Sequence, residues 1–240
     1  MAFAPALHAE WLKIRTLRSL TGTLLALFAA TTAFSALAGA ETAEPDLDPL
    51  FTALSGVLPG QIVAISFGAM AVSAEYHGGA LRLSLSAVPR RGQWFAVKVT
   101  AIAVPALIVG LATTLAAFAV GRAGLGDAAN GLSTGEQIRG VLGSVLYLTL
   151  MALFAAGLTA LLRSAVATLS LLIPFVLVVS FVIGDAAGGA TGFLPDKAGQ
   201  VVLYETYDGT LGPWSGLAVT ALWTAAALVA GAWSVRRRDA

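Results

Sequence analysis

Long uninterrupted apolar runs constrain this chain more than any other feature. Six segments of about 20 predominantly apolar residues, the length that crosses a lipid hydrocarbon core as a helix, fall at roughly 19–40, 53–74, 99–121, 140–162, 165–184 and 213–235. The runs are continuous rather than alternating, so barrel strands are excluded and helices are the spanning form. Only 11% of the 240 residues are charged while 58% are hydrophobic, against about 25% charged in a soluble domain. The expected fold is a single all-α membrane domain over 1–240 with six transmembrane helices. The first run could instead belong to a signal peptide, with Lys13, Arg15 and Arg18 as its basic region and Ala36-Leu37-Ala38 as a cleavage site. It is longer than a typical signal core and is read as a retained span.

Charge placement orients the spans. With both termini in the cytoplasm, Lys13, Arg15, Arg18, Arg82, Arg90, Arg91, Lys98, Arg163 and Arg236 to Arg238 are inside, and of the 14 cations only Arg122, Arg139 and Lys197 are outside. Among the 13 acids only Glu10, Glu75 and Asp239 fall inside. This is the split that the positive-inside rule requires, and it predicts a multi-pass protein of the cell membrane with cytoplasmic ends. Before the first span, residues 5–18 space Leu7, Trp11, Ile14 and Leu17 at helical intervals, with Glu10, Lys13 and Arg15 elsewhere on the wheel. The pattern predicts an amphipathic interfacial helix with Trp11 at headgroup depth and Lys13 and Arg15 beside it; a plain charged anchor is the alternative.

Outside the bilayer, 41–49 is acidic with two prolines and reads as a solvated loop, and the glycine-rich 122–139 as a flexible one. The outer segment 185–212 carries Val201, Val202, Leu203, Tyr204 and Tyr207. It should pack on the membrane surface or on the spans, and a lid over a pathway is the sharper alternative. Pro105 and Pro174 fall inside spans and predict kinks or packing adjustments. Small residues, among them Gly140 with Gly143, permit close helix contact.

The stretch 75–98 differs from the rest. It is basic and amphipathic, reads as water-exposed, and lies between the second and third spans. The simple reading is a loop whose arginines hold topology and touch anionic lipid. The order Glu75-Tyr76, Gly78-Gly79, Arg82, Ala87-Val88-Pro89-Arg90-Arg91 and Lys98, with AEWLKIRTLRS at 9–19, LPDKAGQ at 194–200, GPWSG at 212–216 and RRRDA at 236–240, resembles the permease subunits of ABC-2 type ABC transporters. The resemblance runs over nearly the whole chain, and Ala80 departs from the family pattern, which has Thr or Met there. It implies that the segment after the second span is a coupling helix seated in a groove of a cytoplasmic ABC ATPase subunit, with Glu75, Tyr76, Arg82, Pro89, Arg90 and Arg91 at or beside the contact. It further implies assembly with a second permease subunit, as a homodimer or heterodimer, and ATP and Mg held by the ATPase rather than by this chain.

Several functions lack the residues they need. No phosphate-cradling G-x-x-x-x-G-K-[ST] motif occurs, no span carries a central ionisable residue of the kind that ion-coupled carriers use, and Asp185 at an outer helix end is the nearest exception. The chain has no cysteine and two histidines, His8 and His77, so no metal centre and no catalytic site can be assembled, and no nucleic-acid partner is expected. The expected function is membrane passage of a hydrophobic or amphipathic substrate, export rather than import, driven by a separate ATPase. A stand-alone channel or carrier, or an immunity-type membrane protein, is the alternative.

Overall fold

A computed structural model describes residues 3–41, 48–179, 188–207 and 209–237. Most of the acidic 41–49 loop, the outer end of the fifth expected span (180–184), Asp185, and Arg238 with Asp239 lie outside the described residues. In chain order the helices are α1 (Phe3–Thr16), α2 (Arg18–Ala40), α3 (Pro49–Leu54), α4 (Val57–Ser73), α5 (Ala80–Ala87), α6 (Arg91–Leu125), α7 (Thr134–Leu162), α8 (Ala165–Pro174), α9 (Pro195–Gln200) and α10 (Pro213–Arg237). No strand occurs among the described residues.

Local chemistry sets the helix ends. Asp48 caps α3 by accepting from the Phe51 amide at 2.9 Å, with Pro49 in the first turn, where its missing N–H costs nothing. Ser133 and Glu136 form a reciprocal capping box at the start of α7, so the loop expected over 122–139 is mostly helical end and 3₁₀ turn. Ser164 caps α8 and accepts from the Ala167 amide. Pro105 is accommodated within a continuous α6. After Pro174 the chain winds into a π turn over Phe175–Val179, the wider turn by which a helix absorbs a lost donor.

Five helical stretches are long and apolar enough to cross a membrane: Arg18–Ala40, Pro49–Tyr76, Arg91–Gly131, Thr134–Leu162 and Pro213–Arg237. The fifth expected span is represented by a shorter apolar helix, Ala165–Val178. Burial is inverted relative to a water-soluble bundle. Leu25, Ile108, Leu222 and Val229 are about two-thirds exposed or more, whereas Thr31, Ser35, Thr113, Ser144, Thr159 and Thr220 are fully buried. Ser144, Thr149 and Thr159 donate to the carbonyl four residues back, which satisfies a hydroxyl without a partner helix. An apolar exterior around a hydroxyl-bearing interior is the pattern of a membrane-embedded protein.

Helix α7 is the axis of the bundle, packed by α4, α6 and α10. At its crossing with α4, Gly68 lies so close to the Ala152 carbonyl that an added methyl would overlap it. Small residues replace hydrophobic driving force in lipid by allowing backbone contact. The outer segment packs on the helices, as its apolar content implied. Val201, Val202 and Leu203 are buried, and Arg139 donates to the Tyr204 and Glu205 carbonyls at 2.7 and 3.1 Å. Asp48 accepts from the Glu205 amide at 2.7 Å, and the Phe51 and Tyr204 rings stack. Beneath it the Tyr147 hydroxyl donates to Gln61, with the Gln200 amide 3.4 Å from both. Gly68→Val should therefore lower the thermal stability of the detergent-purified chain by about 2 kcal/mol, as overpacking does, whereas Gly22→Ala, facing open space, should be neutral in the same melt.

Candidate functional site

Residues 73–98 do not form one exposed loop. Helix α4 runs out through a 3₁₀ turn, Ala74–Tyr76, and the chain turns at Gly78 and Gly79, with φ of 61° and 75°. Two consecutive left-handed residues are accessible at little cost only to glycine. Nothing lies within 4 Å of a Cβ at either position, so conformation and not space requires them. The turn launches the amphipathic α5, which tucks Leu81 inward while Leu83 is 72% exposed. Val88 is buried, Pro89 and Arg90 are exposed, and α6 begins at Arg91. Lys98 is thus two turns inside a helix.

The turn places Glu75 in the protein interior, 2% exposed. Its carboxylate accepts from Lys13 Nζ at 2.8 Å, Lys98 Nζ at 2.8 Å and Ser84 Oγ at 2.7 Å. Lys13 also bonds Glu10 at 2.8 Å, and Lys98 bonds the second Glu10 oxygen. Two carboxylates and two ammonium groups, supplied by α1, the α4 exit and α6, form a closed neutral set, to which α5 adds the Ser84 hydroxyl. Leaving Glu10, Glu75 or Lys98 alone in the interior would be costly, whereas Lys13 is partly exposed. Burial works against the Lys13 ammonium, yet the bonds and fields of Glu10 and Glu75 outweigh it and hold its pKa above the ordinary lysine value. The Lys13 contribution to stability is therefore complete below the ordinary lysine pKa, falls as pH rises from there through the elevated pKa, and is gone above it.

This arrangement corrects one expectation. Glu75 and Lys98 are not water-exposed, because each has its partners in the interior. On α1 the side turned to the protein carries Glu10 and Ile14, while Trp11 is 43% exposed with the Arg15 guanidinium 4.5 Å from its ring centroid. Ile14 of the apolar stripe thus packs inward together with Glu10, while Trp11 stays at the surface.

The other expected site residues separate into groups. Tyr76 reaches α7, its hydroxyl 3.4 Å from the Ala160 carbonyl, and the Arg163 guanidinium lies 5.8 Å from its ring centroid. Arg82 is exposed on α5, and with Glu75, Tyr76, Gly79, Leu81 and Arg163 it lines an open cleft of about 490 Å³. Arg91 instead donates to the Val235 and Arg236 carbonyls at 3.1 and 3.5 Å, where a cation complements the end of α10. These contacts gather Lys13, Arg82, Arg91, Lys98, Arg163 and Arg236 at one end of the bundle. Sequence reading missed that Glu10 shares Lys13 and Lys98 with Glu75 and that Ser84 donates to Glu75; the i, i+3 spacing of Glu10 and Lys13 was its only local trace. No cluster of metal-ligating side chains occurs among the described residues.

No family model matches the chain, and no curated protein matches it. If the charge set acts as a unit, Glu75→Gln should cost about 3–5 kcal/mol by leaving an excess buried ammonium. Adding Lys98→Met should recover part of that loss in the same detergent melt, since Lys13 and Glu10 then balance. A double variant no more stable than Glu75→Gln would mean that the charges act independently.

Proposed function

We propose that this chain is the membrane-spanning permease subunit of an ATP-driven transporter of the ABC-2 type, moving a hydrophobic or amphipathic substrate outward. The observation that carries the reading is the short amphipathic α5, held between two long apolar helices by the buried Glu75 set. In this reading the end bearing α5 faces the cytoplasm, six spans place both termini there, and α1 lies along the membrane interface with Trp11 toward the headgroups. A cytoplasmic ABC ATPase, which would bind ATP and Mg, grips α5 through Arg82, Leu83, Pro89 and Arg90. Glu75 would not touch the ATPase; it would bind the docked helix to α1, α4 and α6. A push on α5 would then tilt those helices together instead of bending a loop. Arg91 would extend the linkage to the end of α10. A second permease subunit, alike or different, completes the substrate path. The exposed apolar exterior and the lack of ionisable side chains at mid-span suit a lipid-like cargo better than an ion.

The lack of native cysteine makes the orientation directly testable. A Ser86→Cys variant should react with a membrane-impermeant maleimide only after the cells are opened; labelling of intact cells would overturn the reading. If an ABC ATPase is encoded beside it, the tagged chain coexpressed with that ATPase should retain it through detergent purification, and the Arg82→Glu/Arg90→Glu variant should lose at least about ten-fold of it, as expected when charge-assisted contacts are reversed. Facilitated solute passage by the purified chain without any ATPase would favour a stand-alone carrier.

A further inference from the structure

We infer that the cavity between α4, the π turn after α8, and α9 binds an amphiphile: an apolar chain with an uncharged head that both donates and accepts hydrogen bonds. The site needs no ATPase and goes beyond the permease reading, which names no residue that holds a ligand. The cavity measures about 340 Å³, within the range of small-molecule sites. Gln61 of α4 and Gln200 of α9 are among its lining residues. Gln61 is only 3% exposed, and an amide so far inside is costly unless its groups are paired.

Hydrogen bonding within the protein accounts for only half of that amide. The Tyr147 hydroxyl donates to the Gln61 oxygen, and Gln200 Nε2 lies 3.4 Å from that oxygen and 3.4 Å from the Tyr147 hydroxyl. Tyr147 is fully buried, so it holds the Gln61 oxygen inward and leaves the amide nitrogen to the cavity. Neither that nitrogen nor the Gln200 oxygen has a hydrogen-bond partner among the described residues. Buried polar groups nearly always find partners. A donor and an acceptor on one cavity lining complement a ligand group that does both, as an amide or a hydroxyl does. Asp196 and Lys197 also line the cavity; their formal charges cancel, which favours an uncharged head over an ion. The remaining lining is apolar, with Leu58 and Ile62 from α4 and Val176 and Leu177 from the π turn. Leu177 is 53% exposed, so the apolar lining runs out to the surface of the bundle, where the chain of an amphiphile can lie out of water.

N-Dodecanoylethanolamine carrying a diazirine in its chain tests the site on the purified protein in phosphatidylcholine nanodiscs. Photolabelling should saturate and map to residues 58–62 and 176–177. Unlabelled N-dodecanoylethanolamine should displace the probe at least about ten-fold more effectively than dodecanoate or dodecyltrimethylammonium, the margin expected of a matched hydrogen bond. Leu177→Trp, which narrows the cavity from an exposed position and leaves the buried amides in place, should lower saturable labelling at least about ten-fold with an unchanged melt. Gln61→Leu should lower it as far while the apolar lining stays, and Leu222→Trp, at an exposed position on α10, should behave as wild type. Saturable labelling undiminished by Leu177→Trp overturns the inference, as does equal displacement by either charged amphiphile. Labelling that never saturates and spreads over the exposed helix faces also overturns it, assigning the amphiphile to the bilayer alone.

Discussion

The arrangement at the basic end of the bundle depends on one buried carboxylate. Glu75 stands where α4 runs out, and it can remain ionised in the interior only because Lys13, Lys98 and Ser84 surround it. Each partner arrives from a different element, so the same requirement that satisfies the charge also fixes the position of α1 over α6 and of α5 beside the α4 exit. Hydrophobic packing between helices surrounded by lipid offers little such specificity, since the lipid is as apolar as the partner helix. A closed charge set leaves few alternative registers.

The two ends of the molecule are held differently. The end bearing α5 is fastened by charges, by Arg91 on the α10 terminus and by the Tyr76 contact with α7. The opposite end is fastened by backbone acceptors and aromatic stacking, with Arg139 and Asp48 gripping residues 204–205. Between them the helices meet through glycine, alanine and self-satisfied hydroxyls. Such contacts allow close approach without tying either end to the other. A bundle built in this way can pass a displacement along rigid helices while each end keeps its own attachments.

Much of the fold was legible in the sequence, and particular residues show where legibility stopped. The lengths of the apolar runs located five long helices, although α6 begins at Arg91 and not near residue 99, because arginine and glutamine at a helix start do not prevent helix formation. The fourth-to-fifth boundary at Arg163–Ser164 is where the chain does turn. On α1, periodicity identified the helix and set Glu10 off its apolar stripe, but could not supply its partner. A helical wheel ranks faces by polarity and has no knowledge of a buried cation 88 residues away.

What the sequence determined by itself is the helical class, the apolar exterior and the gathering of cations between particular runs, since these follow from hydropathy and local caps. Tertiary structure alone decided that Glu75 and Lys98 are interior, that Arg91 serves α10, and that Arg163 joins Tyr76 and Arg82 around one cleft. Each of these is a contact between charged or polar groups far apart in the chain, and its energy exists only once the low-dielectric interior has formed around it.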